Sequence, residues 1–208
     1  MEYFPYAFFN FDGKRVAGLG QMADEMIQQG IPSIWTNYIQ VTDCQACCHK
    51  LESLGAKLIM PNMDVMDAGS MAIAQDPAGA MFALWQANQN FGAALVNVPN
   101  AMVWNELATR DFDGAIKFYG ELFGWTFEDN PESPSSYKII LNDGRRNGGI
   151  MKMTAEWGDQ IPSHWTVYFS VARIEDTAER VKAAGGQVVH GPFQAGTVGQ
   201  LSLIHISE

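Results

Sequence analysis

Chemistry in this chain centres on one acidic residue in aromatic company. Trp104-Asn105-Glu106-Leu107-Ala108-Thr109 reads as part of a strand. Strand alternation puts Trp104, Glu106 and Ala108 on one face and Asn105, Leu107 and Thr109 on the other. The second set is expected beneath the helix that follows, so Glu106 points to the opposite side. A carboxylate beside an indole can accept a ligand's hydrogen bond or act as a base. The plainer alternative is a solvated or ion-paired glutamate, and the pattern leaves both open.

Other reactive groups carry weaker signals. Cys44, Cys47 and Cys48 are the chain's three cysteines. An odd, clustered count is not a disulfide framework, and a zinc site needs a second ligand pair. Together with Leu51 and Leu54 they follow helical spacing, which predicts buried, inert thiols. Gly18-x-Gly20 and Gly185-Gly186 lack the strand–GxGxxG–helix setting of a dinucleotide site. The methionines, eleven in number, are read as core packing.

The elements that must position Glu106 are legible because the chain repeats itself. Ile31-Pro32-Ser33-Ile34-Trp35-Thr36 returns as Ile161-Pro162-Ser163-His164-Trp165-Thr166. Asp12-Gly13-Lys14-Arg15 likewise returns as Asp143-Gly144-Arg145-Arg146. The period is the size of a domain, not of a solenoid repeat. In the second copy 101–109 is a strand and Asp111 an N-cap. The helix runs along Ala115, Ile116, Phe118, Tyr119, Leu122 and Phe123, and Gly124 ends it. Strands are expected at 125–128, 137–141 and 149–153, with a turn at Asn142-Asp143-Gly144. Then the order restarts: strand 165–171, helix 175–185, strand 187–189, and a break at Gly191-Pro192. The first copy supplies Met71 to Ala74, the Asp76-Pro77-Ala78-Gly79 turn and Ala80 to Trp85.

Several motifs together carry a family resemblance. Glu106-Leu107-x-Thr109-x-Asp111, Phe118-Tyr119-Gly120-x-Leu122-Phe123-Gly124-Trp125 and Gly148-Gly149-Ile150-Met151 resemble the vicinal oxygen chelate superfamily. This is the glyoxalase, bleomycin-resistance and extradiol dioxygenase group. Trp35-x-x-Tyr38-x-x-Val41-x-Asp43, Leu54-Gly55 and Asp76-Pro77-x-Gly79-Ala80-x-Phe82 resemble its second βαβββ unit. The resemblance implies an α+β fold of tandem domains. Each would pair two βαβββ units into a curled mixed sheet with helices outside. The domains are expected at 1–97, without its first strand and helix, and at 98–208. The chain reads as clipped at both ends: in 98–208 the last strand is missing or replaced by a non-native tail, Leu203 to Glu208.

In many members of that family the cup holds a divalent metal. The ligand positions carried over fall here on Trp104, Thr166, Thr36 and Ala83, with Met151 or Met153 on a neighbouring strand. Indole, hydroxyl, methyl and thioether groups are poor ligands beside imidazole and carboxylate. No metal and no cofactor are therefore expected. The favoured function is metal-independent binding of a small organic molecule in an aromatic-lined cup. Glu106 is its catalytic candidate, and Trp104, Tyr38, Tyr168, Thr36, Thr166 and Met151 are its ligand-binding candidates. Trp35 and Trp165 are further candidates for the lining. Two alternatives stand beside it. One is a metal-dependent lyase or dioxygenase using His164 or His190 with Glu106; the other is a non-catalytic assembly protein.

Composition bounds the partners. A formal charge of −10 disfavours nucleic acid and anionic membrane surfaces. No apolar window reaches the length of a membrane span, and the first residues lack a basic leader region. A cytoplasmic monomer or homodimer with a small-molecule ligand is the expectation.

Overall fold

The structure, a computed structural model, describes residues 5–133 and 135–205. In chain order the elements are β1 (Tyr6–Phe11), β2 (Lys14–Gly20), α1 (Asp24–Gln28), β3 (Tyr38–Gln40), α2 (Cys44–Ser53) and β4 (Lys57–Val65). Then come β5 (Gly69–Gln75), β6 (Met81–Ala87), β7 (Met102–Thr109), α3 (Phe112–Phe123), β8 (Thr126–Asp129), β9 (Tyr137–Asn142) and β10 (Arg145–Lys152). Last are β11 (His164–Phe169), α4 (Ile174–Ala183), β12 (Gln187–Ala195) and β13 (Gly199–His205). Thus β3-α2-β4-β5-β6 and β7-α3-β8-β9-β10 are both βαβββ units, and the fold is mixed α+β as expected.

The chain divides into two compact units. One comprises Trp35–Ala94 and Val103–Tyr168; the other comprises the described parts of Met1–Ile34, Leu95–Met102 and Phe169–Glu208. The first unit therefore draws strands from both sides of residue 97. It contains a five-stranded sheet ordered β11-β7-β10-β9-β8 and a four-stranded sheet ordered β3-β6-β5-β4. In each βαβββ unit the first and last strands run parallel and the other pairs antiparallel. The second unit contains the hairpins β1-β2 and β12-β13.

Local chemistry explains why α3 sits where it does. The Asp111 carboxylate accepts the Gly114 N–H at 3.0 Å, an N-cap worth about 1 kcal/mol. Gly124 closes the helix in the left-handed region at φ 73°, which a side chain would resist. Between these ends Phe112, Ala115, Phe118, Tyr119 and Leu122 are buried. They join one core with Cys44, Cys48 and Leu51 of α2, Phe82 and Leu84 of β6, and Leu107 and Ile150. Of the expected stripe, Cys44, Cys48 and Leu51 are buried, and Cys47 and Leu54 are half-buried against the same core. Lys50 of α2 donates to the Leu122 carbonyl at 3.1 Å, meeting the C-terminal end of α3.

Two elements extend beyond their expected ends. The Gly191-Pro192 step does not end β12, which runs on to Ala195 with its register shifted between His190 and Phe193. A bulge absorbs the proline, which has no N–H for the ladder. Leu203, Ile204 and His205 continue β13, with Ile204 opposite Val188. Positions 206–208 of the expected tail lie outside the described residues.

A polar chain runs through the core. Asp76, 4% exposed, accepts the Ala78 and Ala80 N–H groups at 2.9 and 2.8 Å and the Tyr119 hydroxyl at 2.9 Å. The Tyr119 oxygen in turn accepts the Trp165 indole N–H at 3.0 Å. Burial pushes the Asp76 carboxyl above its ordinary 3.8, although its hydrogen bonds oppose the shift. Burial, then the Asp76 charge, pushes the Tyr119 phenol far up. Tyr119→Phe would strand the Asp76 oxygen and the Trp165 N–H. It should cost about 2 kcal/mol or more, read by urea unfolding. Because the folded carboxyl sits above its unfolded value, its charge destabilises the fold at neutral pH. That cost is relieved as pH falls from above the raised value toward 3.8. Wild type should therefore gain stability relative to Asp76→Asn on acidification through that window.

Candidate functional site

Strand β7 faces two environments. Leu107 is fully buried in the core, and Glu106, one pleat away, is on the opposite face of the sheet. There its carboxylate gathers two phenols. The Tyr137 hydroxyl donates to Oε2 at 2.8 Å, and the Tyr168 hydroxyl donates to Oε1 at 3.0 Å. The Tyr137 oxygen accepts the Trp104 indole N–H at 3.0 Å. Four side chains from β7, β9 and β11 thus form one continuous hydrogen-bonded cluster, each of them half-buried.

A missing side chain makes the cluster possible. On β10 Gly149 lies in register opposite Glu106, and on β9 Tyr137 lies opposite Met151. The Tyr137 ring reaches Glu106 by crossing the space above Gly149. A Cβ at position 149 would run into the Tyr137 hydroxyl and ring. Burial is the first cause, and the Glu106 charge the second, of the upward push on both the Tyr137 and Tyr168 phenols. Both stay protonated at physiological pH and keep donating to the carboxylate.

The other candidates are placed unevenly. Trp104, Glu106 and Tyr168 come together. Thr166 and Met151 are half-buried, on β11 and β10. Tyr38 lies on the separate four-stranded sheet, 51% exposed and edge-on to Trp85 at 6.3 Å. Thr36 is exposed just before β3. Trp165, expected in the lining, packs instead into the core, edge-on to Tyr119 at 5.5 Å; it alternates with Thr166 and takes the helix side. Tyr137 is the functional candidate that sequence reasoning missed. Its place depends on cross-strand register and on the glycine opposite Glu106, neither of which strand periodicity specifies.

The residues at the family's metal positions do not fit a metal. Trp104 offers an N–H already donated to Tyr137. Both Glu106 oxygens are engaged by phenols. His164 Nδ1 lies 2.8 Å from the Pro162 carbonyl, and His190 sits in the other unit beside Phe193. Among the described residues no group of three or more His, Cys, Asp or Glu could hold a metal ion. The cysteines do not supply one: burial, reinforced by Cys48, pushes the Cys44 thiol up to about 12 and Cys47 up to about 11.

The glycine at 149 is open to a direct test. Gly149→Ala should displace Tyr137, break its bond to Glu106 and shift the Trp104 indole N–H resonance in a ¹⁵N spectrum. An unchanged resonance would show that Tyr137 does not depend on that gap.

With the geometry established, comparison with known proteins places the chain. A sequence model described as the Glyoxalase/Bleomycin resistance protein/Dioxygenase superfamily matches residues 101–203. The Mycobacterium tuberculosis protein named "Putative glyoxylase CFP32" is 35% identical over 200 residues, covering 96% of this chain and 75% of that protein. The anthracycline biosynthesis protein DnrV of Streptomyces peucetius is 32% identical over 200 residues, covering 90% and 71%. The Mn(II)-bound glyoxalase of Novosphingobium aromaticivorans shares the fold with a TM-score of 0.56 at 15% identity, over 80% of this chain and 57% of that one. No helix among the described residues is long and apolar enough to cross a membrane. The chain belongs to the glyoxalase/bleomycin resistance protein/dioxygenase superfamily.

Proposed function

We propose that this family member binds a small organic molecule against the Glu106 face of its five-stranded sheet, and does so without a divalent metal. The observation that carries the reading is the Trp104–Tyr137–Glu106–Tyr168 cluster. Polar groups converge there on a sheet face whose other side is packed core. A wall of rings with a few fixed polar atoms is the composition of a small-molecule site. Two phenols hold the carboxylate in one orientation, so it meets a ligand without first being ordered.

Glu106 is the group that acts on the ligand. It accepts a hydrogen bond, and in a reaction it takes the proton. Trp104 and Tyr137 position it, and Tyr168 and Met151 border it. The relatives named for glyoxylase activity and for anthracycline biosynthesis support a small organic substrate. The unpaired thiols of α2 fit a reducing, cytoplasmic setting.

Ligand-observed NMR against a library of small aromatic and carbonyl compounds tests this. Hits should be lost or weakened about tenfold or more in Trp104→Ala and Glu106→Ala, with the fold checked by circular dichroism. Hits unaffected by both changes would place the ligand elsewhere, and a library with no hit would remove the reading.

A further inference from the structure

We propose that the Glu106 cluster is a receptor for the protonated amine of a small organic cation. The inference rests on the ligand-binding reading above and adds the charge class of the ligand. It follows from counting hydrogens. The cluster has three polar hydrogens, and each is already donated within it: Trp104 N–H to Tyr137, and the Tyr137 and Tyr168 O–H groups to Glu106. What remains for a ligand is lone pairs on the two carboxylate oxygens, on the Tyr168 oxygen and on the Tyr137 oxygen. The cluster can accept and has nothing left to donate.

Charge points the same way. The ion pairs that Lys138 and Arg146 form are with Asp129 and Glu128. No ion pair among the described residues includes Glu106. No cation among the described residues therefore competes for the carboxylate, which lies beside three aromatic rings. An ammonium group satisfies all of these features at once. It brings three donors, neutralises the charge as water leaves, and is attracted to ring faces. An anionic ligand would meet acceptors only. A neutral ligand would leave a desolvated carboxylate uncompensated. The chain's net charge of −10 adds a general attraction for cations.

Three probes of similar shape and different charge separate the possibilities: 2-phenylethylammonium, 2-phenylethanol and 3-phenylpropionate. Each is titrated into the ¹⁵N-labelled full chain near neutral pH while following the Trp104 indole N–H, assigned with Trp104→Phe. The ammonium should shift that resonance and bind at least about tenfold more tightly than the carboxylate probe, with the alcohol between them. Glu106→Gln should remove the preference for the ammonium. Tyr168→Phe removes one acceptor and keeps the charge, so the ammonium should bind more weakly and still rank first of the three probes. This second variant decides the matter if Glu106→Gln fails to fold. Equal binding of all three probes at Trp104 would overturn the amine assignment and leave the ligand site standing. A tighter carboxylate probe, no shift with any probe, or loss of the preference for the ammonium in a folded Tyr168→Phe would also overturn it. Those outcomes leave the site itself to the library measurement.

Discussion

Everything at this site depends on the pleat of one strand. β7 must bury Leu107 and Thr109 beneath α3 and still carry Trp104 and Glu106 on its other side. A shift of one residue would put the carboxylate in the core and the leucine among the tyrosines. The burial of α3 and its N-cap at Asp111 hold the strand against that shift. The core thus fixes the register, and the register fixes the site.

The unit handles two carboxylates in opposite ways. Asp76 is sealed in the core, tied to two backbone N–H groups and to Tyr119, and burial raises its affinity for a proton. Its work is structural, joining the turn before β6 to α3 and, through Tyr119, to Trp165. Glu106 is half-buried and also held by tyrosine hydroxyls, but its free lone pairs face away from the core. The same phenol–carboxylate bond therefore serves cohesion in one place and presentation in the other. Solvent access makes the difference.

The sequence told much of the fold and part of the site. The internal repeat, the Asp111 cap, the Gly124 stop and the helical spacing of Phe118, Tyr119 and Leu122 located the βαβββ unit. Alternation alone divided Glu106 from Leu107. These signals are local, carried by neighbours along the chain. Tyr137 was read only as the first residue of a strand, because its contact with Glu106 spans two strands and needs Gly149 between them. Trp165 went to the core because it alternates with Thr166. The family resemblance located its strand but gave no side. The proline at 192 looked like an end to β12, whereas a bulge lets the pairing continue.

The central claim is that two phenols hold the Glu106 carboxylate for an organic ligand, with no divalent metal bound to it. The most direct measurement is crystallographic: crystals soaked in Mn²⁺, with anomalous difference density read around Glu106. The expected map shows no manganese bonded to Glu106 and both tyrosine hydroxyls still within hydrogen-bond distance of its oxygens. A manganese peak bonded to Glu106, with Tyr137 or Tyr168 displaced, would contradict it.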